Sequence, residues 1–307
     1  MITTARLLLA ALLAVAVAAS RDLLDEDGVT AAISGGFTPE QNRYRWMTSL
    51  RYSTGPYKGE PLCGAVLIAP TVMLTAASCT LPQWGMPRAA TLFPWARIGV
   101  NTRRGGEYEI RFITGVLLHA GWNRTTNPAL NDIALLRLGG GKIPSVPSLM
   151  TPIRLPPKKP NPLLPLSTQL SALGFGDWGK PNVPIFIQQA KLALQPQSAC
   201  RKEWPQFGKV WTTNKSLCAG TKGQAPGICS GDYGGPLFRA GRTVAQDMLL
   251  GIGAFNGRGC GKGGLSGFTN VAQYRGWIDF GVKILENEVP ANALYKAYYN
   301  QNVPTPL

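Results

Sequence analysis

From Arg43 onward the chain alternates short apolar runs with clusters of Gly, Pro, Asn and Ser. Trp46–Tyr52, Cys63–Ala69, Val72–Thr75, Arg97–Val100 and Tyr108–Leu118 are each of strand length and bounded by turn-forming residues. That spacing predicts antiparallel strands in a sandwich or barrel. A second series repeats it: Gln169–Gly174, Ile185–Leu194, Pro236–Phe238, Met248–Ala254 and Leu265–Val271. Between the two, Ile143–Leu166 is dense in proline, with Pro156, Pro157 and Pro160 at its centre. Proline donates nothing to a strand ladder, so this stretch predicts a connector between two β units. Near the end the period changes. Tyr274, Trp277, Ile278, Val282 and Leu285 recur at helical spacing and predict an amphipathic helix docking one apolar face. The tail after Pro290 carries neither period and is expected to lie loose.

The start of the chain follows different rules. Arg6 precedes an apolar run, Leu7–Ala16, followed by small residues and then by charged ones from Arg21 to Asp27. Residues 1–20 read as a secretory signal peptide and 21–32 as a propeptide or linker. No second apolar stretch is long enough for a span, so a secreted, extracellular protein without a transmembrane segment after signal removal is expected. Six cysteines in an exported chain predict three disulfides. A single histidine and the lack of a CxxC spacing argue against zinc, and no metal or cofactor is expected.

The formal charge of +15 draws such a chain to polyanions, sulfated glycans among them. The basic pairs Arg103–Arg104, Lys158–Lys159 and Arg201–Lys202 are scattered, which equally suits a merely soluble surface. Nucleic acid is not implied, because no recognition motif accompanies the charge.

Three ordered segments then carry a resemblance. They are Leu74-Thr-Ala-Ala-Ser-Cys79 following Cys63-Gly-Ala-Val-Leu-Ile68, Asn131-Asp-Ile-Ala-Leu-Leu-Arg-Leu138, and Cys229-Ser-Gly-Asp-Tyr-Gly-Gly-Pro-Leu237. They resemble the blocks that hold the histidine, aspartate and serine of chymotrypsin- and trypsin-like serine proteases. Ile33-Ser-Gly-Gly36, Leu173-Gly-Phe-Gly176, Gly251–Asn256 and Tyr274–Ile278 add further matches. The resemblance implies an all-β fold of two antiparallel barrels packed face to face, with a C-terminal α-helix. It spans 33–288, with a first barrel over about 33–145, a second over about 165–288, and a tail over 289–307. It also implies the pairings Cys63–Cys79, Cys200–Cys218 and Cys229–Cys260.

Acyl transfer on such a scaffold needs a nucleophile, a base and an anion that orients the base. By the resemblance, Asp132 keeps the last role, but the base position holds Ser78 and the nucleophile position holds Tyr233. A serine hydroxyl does not accept a proton near neutral pH, and a phenol titrating near ~10 stays protonated without a base. Tyr233 is expected to plug the cleft. The routes left open, Tyr233 or Ser78 activated by Asp132, depend on an aspartate of ordinary pKa ~4, a poor base. His119 matches a strand and turn away from the cleft and reads as an edge-strand or surface residue.

The same resemblance assigns the oxyanion-hole N–H groups to Gly231 and Tyr233 and the activation pair to Ile33 and Asp232. Ala32 precedes Ile33, so a trypsin-type activator would not cut there. The specificity-pocket positions are Gly227, Ala254, Phe255, Asn256 and Ser266, with no acid to select Arg or Lys. Non-catalytic members of the family act as inhibitors, cofactors or adhesion factors, which implies an extracellular protein partner. A hydrolase with a rearranged site and a cationic polyanion-binding protein are the alternatives. Asn123-Arg-Thr125 and Asn214-Lys-Ser216 are sequons open to N-glycosylation in a eukaryotic secretory pathway.

Overall fold

The computed structural model describes residues 33, 35–52, 58–80, 95–106, 108–141, 150–158, 164–176, 184–221, 226–255 and 264–287. The expected signal peptide, propeptide and C-terminal tail lie outside these residues, as do Asn256 and Cys260.

The first series of strands closes into a barrel. It comprises β1 (Met47–Arg51), β2 (Pro61–Ala69), β3 (Val72–Thr75), β4 (Trp95–Ile98), β5 (Glu109–Leu118) and β6 (Ala134–Leu138), neighbouring in the order β1-β2-β3-β6-β5-β4. The second series closes likewise: β7 (Gln169–Gly174), β8 (Gln188–Gln195), β9 (Ser216–Ala219), β10 (Pro236–Arg239), β11 (Met248–Phe255) and β12 (Ser266–Asn270), in the order β10-β11-β12-β9-β8-β7. The fold is thus the expected pair of antiparallel barrels. Closure leaves no unpaired edge, which removes the usual hazard of exposed strand donors.

Differences from the expected spans have local causes. The strand expected at Arg97–Val100 lies two residues earlier, because Gly99 at φ 74° turns the chain away after Ile98. A short helix, α1 (Gln197–Glu203), and strand β9 were not anticipated. The sequence of α1, QSACRKE, buries only Cys200 and so shows no periodic apolar face.

One core cluster runs through both barrels, joining Leu50, Val66, Leu74 and Leu135 to Phe238, Leu249 and Ile252. Trp46 meets Phe238 edge-on at 4.8 Å, and Tyr44 meets it at 5.1 Å. Beside them Arg43 donates to both oxygens of the buried Asp247, at 2.6 and 2.8 Å, and Trp46 Nε1 donates to one at 3.2 Å. The entering chain is therefore latched to the second barrel before it begins the first. At the other end the terminal helix, α2 (Arg275–Leu285), buries Trp277, Ile278 and Leu285 and packs on β5 and β6 of the first barrel. The helical periodicity that predicted it is thus the face that ties the end of the chain to its beginning. Disulfides join Cys63 to Cys79 and Cys200 to Cys218. Cys229 is also disulfide-bonded, and its expected partner, Cys260, is outside the described residues.

Candidate active site

Asp132 is held from several directions. Its neighbour Asn131 adopts φ 57°, a conformation asparagine tolerates better than most residues. The Asn131 side chain donates to the Gly121 carbonyl at 2.8 Å and accepts from Tyr274 Oη at 2.9 Å and Lys215 Nζ at 3.0 Å. From the second barrel, Thr269 Oγ1 donates to the Asp132 carbonyl at 2.8 Å. The carboxyl group itself faces the 3-10 turn Ala77–Thr80, which the Cys63–Cys79 disulfide staples to β2. There the Ser78 N–H donates to Oδ1 at 2.7 Å and the Ser78 hydroxyl to Oδ2 at 2.8 Å. Ser78 and Asp132, far apart in sequence, form one hydrogen-bonded pair.

Asp132 is only 1% exposed. Burial pushes its carboxyl up to about 7, against the hydrogen bonds from Ser78 and the Ala77 N–H, which favour the charged form. The sequence reading took an ordinary aspartate. The enclosing cores replace it with a group that titrates near neutrality.

Tyr233 sits on the facing loop, partly buried between the main core cluster and the second-barrel cluster. Its carbonyl accepts from the Gly64 N–H at 2.8 Å, a bond across the barrel seam. Gly234, at φ 76°, lies so close to the first barrel that an added Cβ would overlap Thr75 Oγ1 and the Gly64 carbonyl. Ser78 and Tyr233 each adjoin a residue of this contact, since Gly234 also abuts Cys79. The loop is held from behind by the buried Asp232, which accepts from the Gly176 N–H at 2.6 Å and the Cys229 N–H at 2.8 Å. A Cβ on Gly176 would lie 2.6 Å from the Asp232 Cγ, so glycine is needed for the carboxylate to fit. Gly231, the other oxyanion-hole position, has φ 93°.

Ile33 is fully buried against Leu170, Ala172, Ala190 and Ile228, and its carbonyl accepts from the Gly36 N–H at 2.9 Å. Among the pocket positions, Gly227 and Ser266 face one another: a Cβ on Gly227 would stand 3.7 Å from Ser266 Oγ. That hydroxyl is buried and has no hydrogen-bond partner among the described residues. Ala254 is half-buried. The Phe255 ring lies over Gly267 and stacks with Phe207 at 4.8 Å and Trp204 at 6.0 Å. Trp204 and Phe207 were not singled out in the sequence; their only signal is two aromatic residues three apart beside a cysteine.

His119 follows the end of β5 and is half-buried rather than fully on the surface. Its ring packs between Tyr274 at 5.2 Å and Trp277 at 5.3 Å, and its Nδ1 accepts from the Gly121 N–H at 3.1 Å. Burial, with the nearby Lys215 charge, lowers its pKa to about 4 and keeps it neutral. Both sequon asparagines, Asn123 and Asn214, are exposed. A groove of about 710 Å³ lined by Leu164, Leu194, Leu217 and Leu250 lies on the second barrel and includes none of the triad-position residues. Among the described residues no helix is long and apolar enough to cross a membrane.

Comparison with known proteins places these features in a family context. Residues 33–278 match the family model described as Trypsin. Kallikrein 1-related peptidase b26 of Mus musculus is 29% identical over 261 residues, covering 80% of this chain and 88% of the relative. Kallikrein 1-related peptidase b1 of Mus musculus is 30% identical over 269 residues, covering 81% and 89%. Epidermal growth factor-binding protein type B of Mus musculus is 28% identical over 261 residues, covering 80% and 88%.

Proposed function

This chain belongs to the trypsin family of serine proteases, and from that premise we propose that it is a secreted, non-catalytic member acting by binding another extracellular protein. One observation carries the reading. The Ser78 hydroxyl donates to Asp132 at 2.8 Å, where the relay of the family needs an imidazole between anion and nucleophile. A hydroxyl that donates to Asp132 has no basic nitrogen to offer a nucleophile on its other side. A serine Oγ also ends one bond beyond Cβ, whereas the far nitrogen of an imidazole ends three bonds beyond it. A phenol at the nucleophile position ionises near neutral pH only with a base, and the Ser78 hydroxyl supplies none. Losing one member of such a unit already removes most of the rate.

The scaffold nonetheless suits recognition. Two barrels stapled by disulfides present loops on a rigid frame, the arrangement that serves binding as well as catalysis. One relative, Epidermal growth factor-binding protein type B, carries a binding partner in its name. Exposed Asn123 and Asn214 are open to glycosylation in the same secreted setting.

A second reading draws on the Asp132 carboxyl near 7, which is in the range of a general base. Ser78 would then be the nucleophile of a rebuilt hydrolase. It fits the geometry less well, because Ser78 stands on the first barrel while the oxyanion-hole positions lie on the Tyr233 loop.

The deciding experiment is casein and mixed-peptide hydrolysis by the chain beginning at Ile33, beside its Ser78→His, Tyr233→Ser double variant. An inert natural chain and an active double variant are expected. Hydrolysis by the natural chain that is lost in Ser78→Ala but kept in Tyr233→Phe would replace the first reading with the second.

A further inference from the structure

At one end of the first barrel four guanidinium groups gather around the carboxylate of Glu60, and the buried carboxylate of Asp232 also acts on Arg103. Arg51 ends β1, Arg97 lies in β4, Arg103 and Arg104 follow β4, and Glu60 immediately precedes β2. Arg51 is 1% exposed. Its Nη1 donates to the carbonyls of Gly59 at 2.8 Å and Arg103 at 2.7 Å, while its Nε and Nη2 are buried with no acceptor among the described residues. Arg103 is 6% exposed, donates to the Phe175 carbonyl and to Glu60 Oε2 at 3.4 Å, and leaves its own Nε without an acceptor. The Arg97 guanidinium lies 4.4 Å over the Tyr108 ring, and its Nε is again buried and unpartnered. Arg104 alone is open, its side chain 80% exposed and its Nε 3.2 Å from Glu60 Oε1. Lys58, also exposed, stands beside them.

Among the described residues four cations face two carboxylates, Glu60 and the buried Asp232, which leaves this corner short of negative charge. Burial, then repulsion from Arg97, pushes the Arg51 guanidinium down to about 9. Burial pushes the Glu60 carboxyl up, but Arg104 and Arg103 together hold it below its usual range. Buried cations whose N–H groups are only partly satisfied cost free energy, and an anion that binds only the folded chain offsets part of that cost.

We propose that this corner is a binding site for the sulfate esters of an extracellular sulfated glycan. Arg104, Arg97 and Lys58 make the contacts, since guanidinium forks match oxyanions with two hydrogen bonds. Arg51 and Arg103 act from below through their field, which water screens least where the side chains are buried. Nucleic acid fits less well: it gains affinity by stacking bases on aromatic rings, and Tyr108 is already covered by Arg97. The assignment goes beyond attraction by net charge, because it makes the position of each charge matter. It holds whether or not the Ser78–Asp132 site is catalytic.

The test is binding of the intact chain to a heparin oligosaccharide at near-physiological salt. Arg104→Ala and Arg97→Gln are each expected to weaken it by roughly five- to tenfold. Arg124→Ala and Lys202→Ala remove the same charge from exposed sites elsewhere and are expected to change it by less than about twofold. Glu60→Gln is expected to tighten binding, whereas Glu40→Gln, also exposed, leaves it unchanged. Desulfated heparin is expected not to bind. Equal responses from the corner and control variants would reduce the effect to bulk charge and overturn the site. Equally tight binding of single-stranded DNA of matched charge would overturn the assignment to sulfate.

Discussion

The Ser78–Asp132 pair makes stability depend on pH in a direction opposite to that of most carboxylates. Burial displaces the Asp132 carboxyl from an ordinary 3.8 to about 7. The folded chain therefore holds a proton that the unfolded chain releases. The contribution of the neutral acid is fully present below about pH 4 and is lost as pH rises through about 7. At 1.36 kcal/mol per pKa unit the whole displacement corresponds to on the order of 4 kcal/mol. Roughly 2 to 3 kcal/mol of this falls between about pH 5 and about pH 8. Asp132→Asn imitates the neutral acid: its carbonyl accepts from the Ser78 N–H, and its amide donates to the Ser78 oxygen. The measurement is the urea midpoint of both proteins at the two pH values, with attention to their difference. His119 and the other titrating groups enter both proteins alike and cancel. The variant should gain on the natural chain by about 2 to 3 kcal/mol as pH rises. Parallel profiles, or a natural chain that gains on the variant, would refute a carboxyl desolvated as described.

Three further substitutions have expected outcomes set by the packing around them. His119 titrates near 4 in the folded chain and near 6.5 when unfolded, so its contribution, present above about pH 6.5, is lost as pH falls through about 4; His119→Gln should flatten acid denaturation monitored by tryptophan fluorescence over that window. Gly234→Ala should destabilise by more than about 2 kcal/mol in thermal unfolding, because the new methyl meets Thr75 and Gly64. Gly105→Ala, at φ 75° with nothing within 4 Å, should cost only about 1 kcal/mol.

Much of this architecture is visible in the order of residues. Alternating runs such as Val72–Thr75 and Gln169–Gly174 appear as strands at the anticipated limits. The period of Tyr274, Trp277, Ile278 and Leu285 marks the terminal helix because those side chains face the core. What escaped lacked such a face. Strand β9, SLCA, has one large apolar residue, Leu217, where the equally short VMLT of Val72–Thr75 has three. The properties of the site are harder still to read. That Asp132 titrates near 7 depends on what encloses it, not on its neighbours in sequence. The pair Arg103–Arg104 looked like scattered surface charge. Only the fold sends one guanidinium inward beneath Phe175 and leaves the other in solvent.

Much of the shape of the loop at Tyr233 is set by main chain and by the residues on either side of the tyrosine. Gly234 fits the seam because it has no Cβ, the Tyr233 carbonyl is tied to Gly64, and Asp232 grips Gly176 and Cys229 from behind. Every one of these constraints acts on main chain or on the residues either side. The side chain at 233 packs on this frame, partly buried between the two core clusters, while glycine, main chain and the neighbouring aspartate set the path of the loop. The chemistry available at this position can therefore change while the loop keeps its path and the surface around it keeps its form.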